Sequence, residues 1–247
     1  MMNSAHPPVG FISHRSCLPG LTDAPPLGAD MAEVARIRCA LGGSVNDVVL
    51  AAAASGFRDL LAARGMLTQD SVVRALVPVS VRPTSERGVL SNRVSAVLVD
   101  LPCGEADPLR RFRLIREQMD AWKTGGQAIG PDAFVNLLGA APGVLAVAAH
   151  TALRLRQPLV HTIVTNVPGP PLPLYVMGRR MLELAPYIPI AVGLRISIGV
   201  VSYDGGLSFG VTADRDAVPD LGTLCAGICD GIDELLKGTP HVPSSPA

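Results

Sequence analysis

The chain is short of aromatic residues, of charge and of catalytic signatures. Aromatics make up 4% and charged residues 17% of its 247 residues, and Lys+Arg balance Asp+Glu at 21 each. A neutral chain with no Lys/Arg cluster interleaved with aromatics lacks the footprint of a nucleic-acid binder, so no nucleic-acid partner is expected. The five cysteines (Cys17, Cys39, Cys103, Cys225, Cys229) are scattered, odd in number and without a Cys-x-x-Cys pair. This argues against a disulfide framework and fits a reducing cytoplasm. Cys225 and Cys229 lie four apart beside Leu224, Ile228 and Ile232 and lack further ligands, so they read as small core residues, and no metal is expected. The opening "MMNSAHPPVGF" has no basic region leading into a long apolar run, so no secretory leader is expected. One uncharged stretch, residues 133–153, has the length of a bilayer span. Asn136, His150 and the central Pro142-Gly143 interrupt it, so it reads as two short buried helices, with a lipid-touching surface as the alternative.

Catalytic motifs are also missing. None of His6, His14, His150, His161 and His241 has an Asp four residues later, and no two are adjacent. There is no Gly-x-Ser-x-Gly elbow, phosphate loop, dinucleotide glycine pattern or zinc spacing. His161 sits in an apolar strand pattern and reads as a satisfied core histidine. His14 reads as exposed, with no partner to name.

What is present is core. Hydrophobic residues make up 48%, drawn mainly from Val, Leu, Ile and Ala, and 247 residues are enough for one large domain or two small ones. Residues 1–28 read as a Pro/Gly-rich linker with an edge strand near 11–18, residues 29–238 as the domain, and residues 239–247 as a disordered tail. Helical periodicity marks residues 29–41, with Met31, Val34, Ile37 and Leu41 on one side, and a second helix follows Gly42-Gly43. Strand patterns cover 72–81 and 93–101. The helix at 107–123 carries a stripe of Leu109, Phe112, Ile115, Met119 and Trp122, which is ordinary core packing. A strand at 159–165 is expected to stop at "NVPGP", and a short strand is expected at 177–184. A hairpin of 194–203 and 207–213 turns at Asp204-Gly205-Gly206, its second strand burying Leu207, Phe209 and Val211. Asp214, Arg215 and Asp216 read as a local ion network, and the last helix begins near Pro219-Asp220. The class is mixed α/β: a mixed sheet with flanking helices.

Two polar motifs stand out. Ser44-Val45-Asn46-Asp47 precedes "VVLAAAA". Ser44 can cap the helix and Asp47 can reach back to the cap, which accounts for both without a substrate but leaves Asn46 unexplained. "TNVPGPP" begins at Thr165. Pro168-Gly169 suits the centre of a type II turn and Asn166 can bond its own turn. This is either a rigid strand-end turn or a stiff loop lining a ligand channel, and the residues alone do not decide between them.

The strings "SVNDVVLAA", "VPVSVRP", "SNRVSAVLVDLP", "TNVPGPPLPLYVMG" and "VSYDGGLSFGVTADRDAVPD" occur in this order. Together they closely resemble the C-terminal half of the bacterial wax ester synthase/diacylglycerol acyltransferases, over about residues 9–237. The resemblance implies one half of a chloramphenicol-acetyltransferase-like, two-domain, CoA-dependent acyltransferase. In that family acyl-CoA and a fatty alcohol or diacylglycerol enter a tunnel between two α/β halves. It implies that Asn46, Asp47, Asn166, Val167, Pro168, Gly169 and Pro170 shape the half-to-half interface and the acyl and CoA channel. The family's base is the second His of a His-His-x-x-x-Asp-Gly motif in the N-terminal half, which has no counterpart here, so no catalytic residue carries over. Acyl-CoA is a substrate, and no cofactor is expected. The expectation is a C-terminal domain of a triacylglycerol- or wax-ester-forming O-acyltransferase, inactive alone and needing an N-terminal half as a separate chain. It would be cytoplasmic, with peripheral contact at the inner membrane or lipid inclusions. The alternatives are a non-catalytic acyl-CoA- or lipid-binding or scaffold remnant, and a functionless fragment that aggregates.

Overall fold

A computed structural model of the chain describes residues 27–80, 94–125, 160–191 and 193–239. The expected edge strand at 11–18, the helical pair at 133–153 and residues 240–247 lie outside these.

Strand β1 (Gly28–Asp30) runs directly into helix α1 (Met31–Leu41), which starts at a capping box in which the Asp30 carboxylate accepts from Ala32 N at 2.7 Å. Helix α2 (Val45–Ala63) buries every residue from Asp47 to Phe57, as a helix apolar all round must. Strands β2 (Val73–Ser80) and β3 (Val94–Leu101) lead to helix α3 (Pro108–Lys123), capped by Asp107 with Pro at its first position. Strand β4 (Thr162–Pro168) is followed by a two-residue hairpin, β5 (Tyr175–Val176) and β6 (Arg179–Arg180). Strands β7 (Ile196–Tyr203) and β8 (Gly206–Ala213) and helix α4 (Leu221–Gly238) complete the order.

The sheet runs β1-β8-β7-β4-β2-β3. β4 is parallel to both β2 and β7, and the other pairs are antiparallel. One face packs against the helices, where Val77, Val99, Ile198 and Phe209 meet α2, α3 and α4. A smaller cluster, Leu76, Ala96, Val160 and Ile163, is covered by Ala191 and Leu194. Helices α2 and α4 touch almost backbone to backbone: a Cβ on Gly227 would lie 2.9 Å from Gly56 Cα, and one on Gly231 2.6 Å from Ser55 Cβ. Arg111 is buried among α2, α3 and α4, donating to Ser55 Oγ at 3.3 Å and Glu234 Oε2 at 3.1 Å. Among the described residues no single helix is long and apolar enough to cross a membrane.

Several expectations need correction. β4 continues through Asn166, Val167 and Pro168, each paired with β7, where a stop had been expected. The strand expected at 177–184 is instead the short β5–β6 hairpin, and residues 181–191 then cross β7 and β8 as an irregular strap. Because that strap covers it, Gly210 on β8 is buried and Thr212 nearly so, while Val211 is only half-buried, so β8 is not a one-faced strand. Asp214 pairs with Arg195 across the sheet end, and not with Arg215. The last helix does begin beside Asp220, as expected, with the Asp220 carboxylate held by Arg64. Cys225 and Cys229 are half-buried and pack against the core, and Cys103 is fully buried, its thiol pushed up to about 12 by burial.

Candidate functional site

The two polar motifs meet. Asn166 Nδ2 donates to Asn46 Oδ1 at 2.7 Å, joining β4 to the first turn of α2 across 120 residues of chain. Asn46, unexplained by helix capping, thus has a partner. Asn166 bonds α2 and not its own turn. Both amides are half-buried, which leaves polar capacity facing outward beside the bond.

Asp47, one residue on, does a different task. Its Oδ2 accepts from Ser44 N at 2.6 Å and from Ser44 Oγ at 2.9 Å, while Asp47 N donates to Ser44 Oγ at 3.4 Å. This is the capping box expected from the Ser-x-x-Asp spacing. The carboxylate is fully buried, and its other oxygen, Oδ1, has no hydrogen-bond partner. The Gly42-Gly43 loop before it has positive φ at both residues. Arg116 Nη1 donates to Leu41 O at 2.7 Å beside it, and a Cβ on Gly43 would lie 2.8 Å from Asp47 Oδ2. The turn therefore admits only glycine and holds Asn46 in place.

Val167, Pro168, Gly169 and Pro170 do not join this contact. They run outward alongside β7: Gly169 N donates to Ser202 Oγ at 3.2 Å, and Asp204 N donates to Pro170 O at 3.2 Å. Gly169 is not at positive φ, so the expected type II turn is absent. Glycine is needed there because a Cβ would lie 2.1 Å from Ser202 O. β4 pairs with β2 only through Thr162 and Ile163. Beyond them the two strands part, leaving a split in the sheet that opens toward Asn166 and the start of α2.

His161, read as a core histidine, is exposed just before β4, where its Nδ1 accepts from Arg74 N at 2.9 Å. Lost hydration, then the Arg74 charge, lowers its pKa. It sits five residues from Asn166 along β4, about 16 Å away, too far to serve that site. A cavity of about 560 Å³ lined by Arg58, Gln69, Ser71 and Arg110 lies at the opposite end of the sheet, by the start of β2. Beyond Pro170 the hairpin "LPLYVMGRR" exposes a run of large apolar side chains that motif reading passed over.

The six-stranded mixed sheet with helices packed on one face has the chloramphenicol-acetyltransferase-like fold, the class to which acyltransferase and condensation domains of known structure belong. The wax ester synthase/diacylglycerol acyltransferase of Marinobacter aquaeolei VT8 superposes with a TM-score of 0.64 at 22% identity, covering 84% of this chain and 46% of that one. A condensation domain of the enacyloxin polyketide synthase gives 0.55 at 14% identity, over 89% and 41%. Within that class the chain belongs to the wax ester synthase/diacylglycerol acyltransferase family, whose C-terminal domain (WS/DGAT C-terminal domain) matches residues 90–236. A probable diacylglycerol O-acyltransferase of Mycobacterium tuberculosis is 39% identical over 207 residues, 83% of this chain and 45% of the relative. The O-acyltransferase WSD of Acinetobacter baylyi is 28% identical over 209 residues, 85% and 45%. The chain thus spans just under half the length of the curated relatives it matches.

Proposed function

We propose that this chain works as the C-terminal half of an acyl-CoA-dependent O-acyltransferase, esterifying diacylglycerol or a fatty alcohol to triacylglycerol or wax ester. The observation that carries the reading is the 2.7 Å Asn166–Asn46 bond, which ties two family motifs together where β2 and β4 part. In the reaction the acceptor hydroxyl oxygen attacks the thioester carbonyl, the carbon–sulfur bond breaks, and the hydroxyl proton passes through a base to the departing CoA thiolate. Beside Asn46 and Asn166 the Asp47 carboxylate is fully buried and holds the cap of α2, and His161 is remote and engaged. As the family resemblance implies, the base is the second histidine of a His-His-x-x-x-Asp-Gly motif in a facing half, and this half supplies position. Acyl-CoA is consumed as a substrate, and the two lipid substrates place the work at a membrane or lipid-inclusion surface.

The test measures CoA thiol release from palmitoyl-CoA with diacylglycerol or hexadecanol. Three samples are compared: this chain alone, the N-terminal half of the Mycobacterium tuberculosis relative alone, and the two together. Turnover is expected only in the mixture. Turnover by this chain alone would overturn the division of labour. Binding of acyl-CoA without turnover in the mixture would favour a non-catalytic binding role.

A further inference from the structure

A charge drawn half inside a protein loses hydration, and a pairing charge normally offsets that loss. Arg58 is half-buried and has no such partner. It leaves α2 about 18 Å along the helix from Asn46, toward the opposite end of the sheet from the candidate site. Its Nη1 donates to Cys103 O at 2.9 Å and to Gly104 O at 3.1 Å. Among the described residues its Nε and Nη2 make no hydrogen bond, and the side chain forms no ion pair. This guanidinium lines the cavity of about 560 Å³.

The cavity walls are fixed. The loop after β3 locks onto the turn before β2: Gly104 N donates to Ser71 O at 2.8 Å, and a Cβ on Gly104 would lie 2.1 Å from Gln69 O. Within the turn Thr68 N donates to Ser71 Oγ at 2.8 Å, and behind the loop the buried Arg111 donates to Glu105 O at 2.8 Å. Such a cavity is formed before a ligand arrives, and its volume falls within the roughly 300–1,000 Å³ of small-molecule sites. Its lining has two characters. Arg58, Arg110, Gln69 and Ser71 are polar, while Val72, Pro102 and Leu114 present apolar surface, with Val72 45% exposed. Among the described residues Glu105 is the one carboxylate of the lining, and it pairs with Arg110 at 3.0 Å. Two guanidiniums against one carboxylate leave a positive charge over.

We infer that this cavity binds an amphipathic monocarboxylate, a fatty-acid-like anion. Its carboxylate takes the free Nε–Nη2 edge of Arg58, and its alkyl chain lies against Val72, Pro102 and Leu114. That edge of a guanidinium presents two parallel N–H groups, which a carboxylate accepts bidentately. A single negative charge matches the surplus on the lining, whereas a phosphate monoester brings about two. The apolar wall separates such a ligand from acetate and other small anions. The site is distinct from the Asn46–Asn166 contact, so the inference stands whether or not the acyl-transfer reading does.

Isothermal titration of this chain with decanoate, decanol, acetate and decyl phosphate tests the site. Decanoate is expected to bind saturably, and decanol and acetate about ten-fold more weakly or worse, because each lacks one half of the recognition. Arg58→Gln should weaken decanoate by about ten-fold or more. That change also removes a tie to the loop, so Gln69→Glu is the second variant. It leaves the main-chain contacts of the turn in place and supplies the missing counter-charge from within the chain. It should melt no lower than wild type and weaken decanoate by a similar factor. Arg36→Gln, at an exposed arginine on α1, should bind as wild type. No binding by wild type overturns the site, and so does binding unchanged in both Arg58→Gln and Gln69→Glu, which puts decanoate elsewhere on the chain. Decanol binding as tightly as decanoate overturns anion recognition, and decyl phosphate binding more tightly than decanoate overturns the choice of a carboxylate.

Discussion

The Asn46–Asn166 bond can be weighed with a double-mutant cycle. Both groups are neutral, and the 2.7 Å contact is half-buried, so an amide left alone after Asn46→Ala or Asn166→Ala can be re-solvated. Each single change should therefore cost about 1 kcal/mol, below the ~1–3 kcal/mol of a fully buried orphan. In a domain of this size that is a fall in Tm of about 2–4 °C. Once one partner is gone, removing the other has little left to break. The double variant should therefore sit within a few tenths of a kcal/mol of the worse single, a coupling near 1 kcal/mol. Urea unfolding of the four proteins, with the slope checked for constancy, gives the coupling directly. In the reassembled two-half enzyme each single variant should lose more activity than its small stability cost explains. Single costs that add to within about 0.3 kcal/mol would refute the reasoning, because independent sites add in that way.

Three further outcomes follow from the same structure. Asp47→Ala removes an acceptor used at 2.6 and 2.9 Å by Ser44, so it should cost about 1–2 kcal/mol and lower activity in step with Tm; activity lost at unchanged Tm would give Asp47 a direct role. A Cβ on Gly210 would lie 1.8 Å from the Pro186 carbonyl oxygen, one on Gly199 2.6 Å from the movable Ile188 Cγ1, and one on Gly206 no nearer than 3.4 Å to any atom beyond its chain neighbours. Thermal melts should rank Gly210→Ala as the worst by about 1–3 kcal/mol, then Gly199→Ala, with Gly206→Ala near wild type, and any other order contradicts the strap geometry. Burial, then Glu234 and Asp230, raise the pKa of Asp59 above 3.8. The folded chain therefore holds that proton more tightly than the unfolded chain, and this group's contribution to stability falls as pH rises from about its ordinary value through the raised one. Asp59→Asn should equal or exceed wild type in Tm at pH 7, with the difference closing as pH drops toward 4; a variant less stable at pH 7 contradicts the repulsion.

Local pattern carried much of the fold. The β7–β8 hairpin was readable because Asp204 and Gly205 provide the two left-handed positions its turn uses, at φ 45° and 85°. The helix at residues 107–123 was readable because its apolar stripe keeps a helical period under an Asp cap with Pro behind it. The start of α2 was readable because a capping box is written within four residues. The rest depends on what lies beside each segment. "NVP" continues as strand because β7 pairs it along one edge while β2 has left the other, and no run of breakers encodes that. Gly169 is required by the Ser202 carbonyl, a neighbour thirty-three residues away. β8 is buried on both faces, where its alternation predicts one, because of a strap whose path follows no period. At the site, the family motifs marked Asn46 and Asn166 individually, but their contact belongs to tertiary structure alone. The exposed apolar run between Val167 and Tyr187 is not legible in the sequence because exposure is a property of the fold.

The contact between α2 and α4 has a mechanical consequence. With Gly56 set against Gly227 and Ser55 against Gly231, the two helices leave no compliant layer of long side chains between them. α2 is about 28 Å long and is pinned at its far end where Arg64 meets Asp220. It cannot slide or roll without taking α4 along, so it behaves as a stiff spar. Asn46 sits at one tip of that spar and does not wander on its own. A load applied at the site would be felt some 28 Å away at the opposite end of the sheet, and the amides of α2 should exchange with solvent only when the whole domain opens.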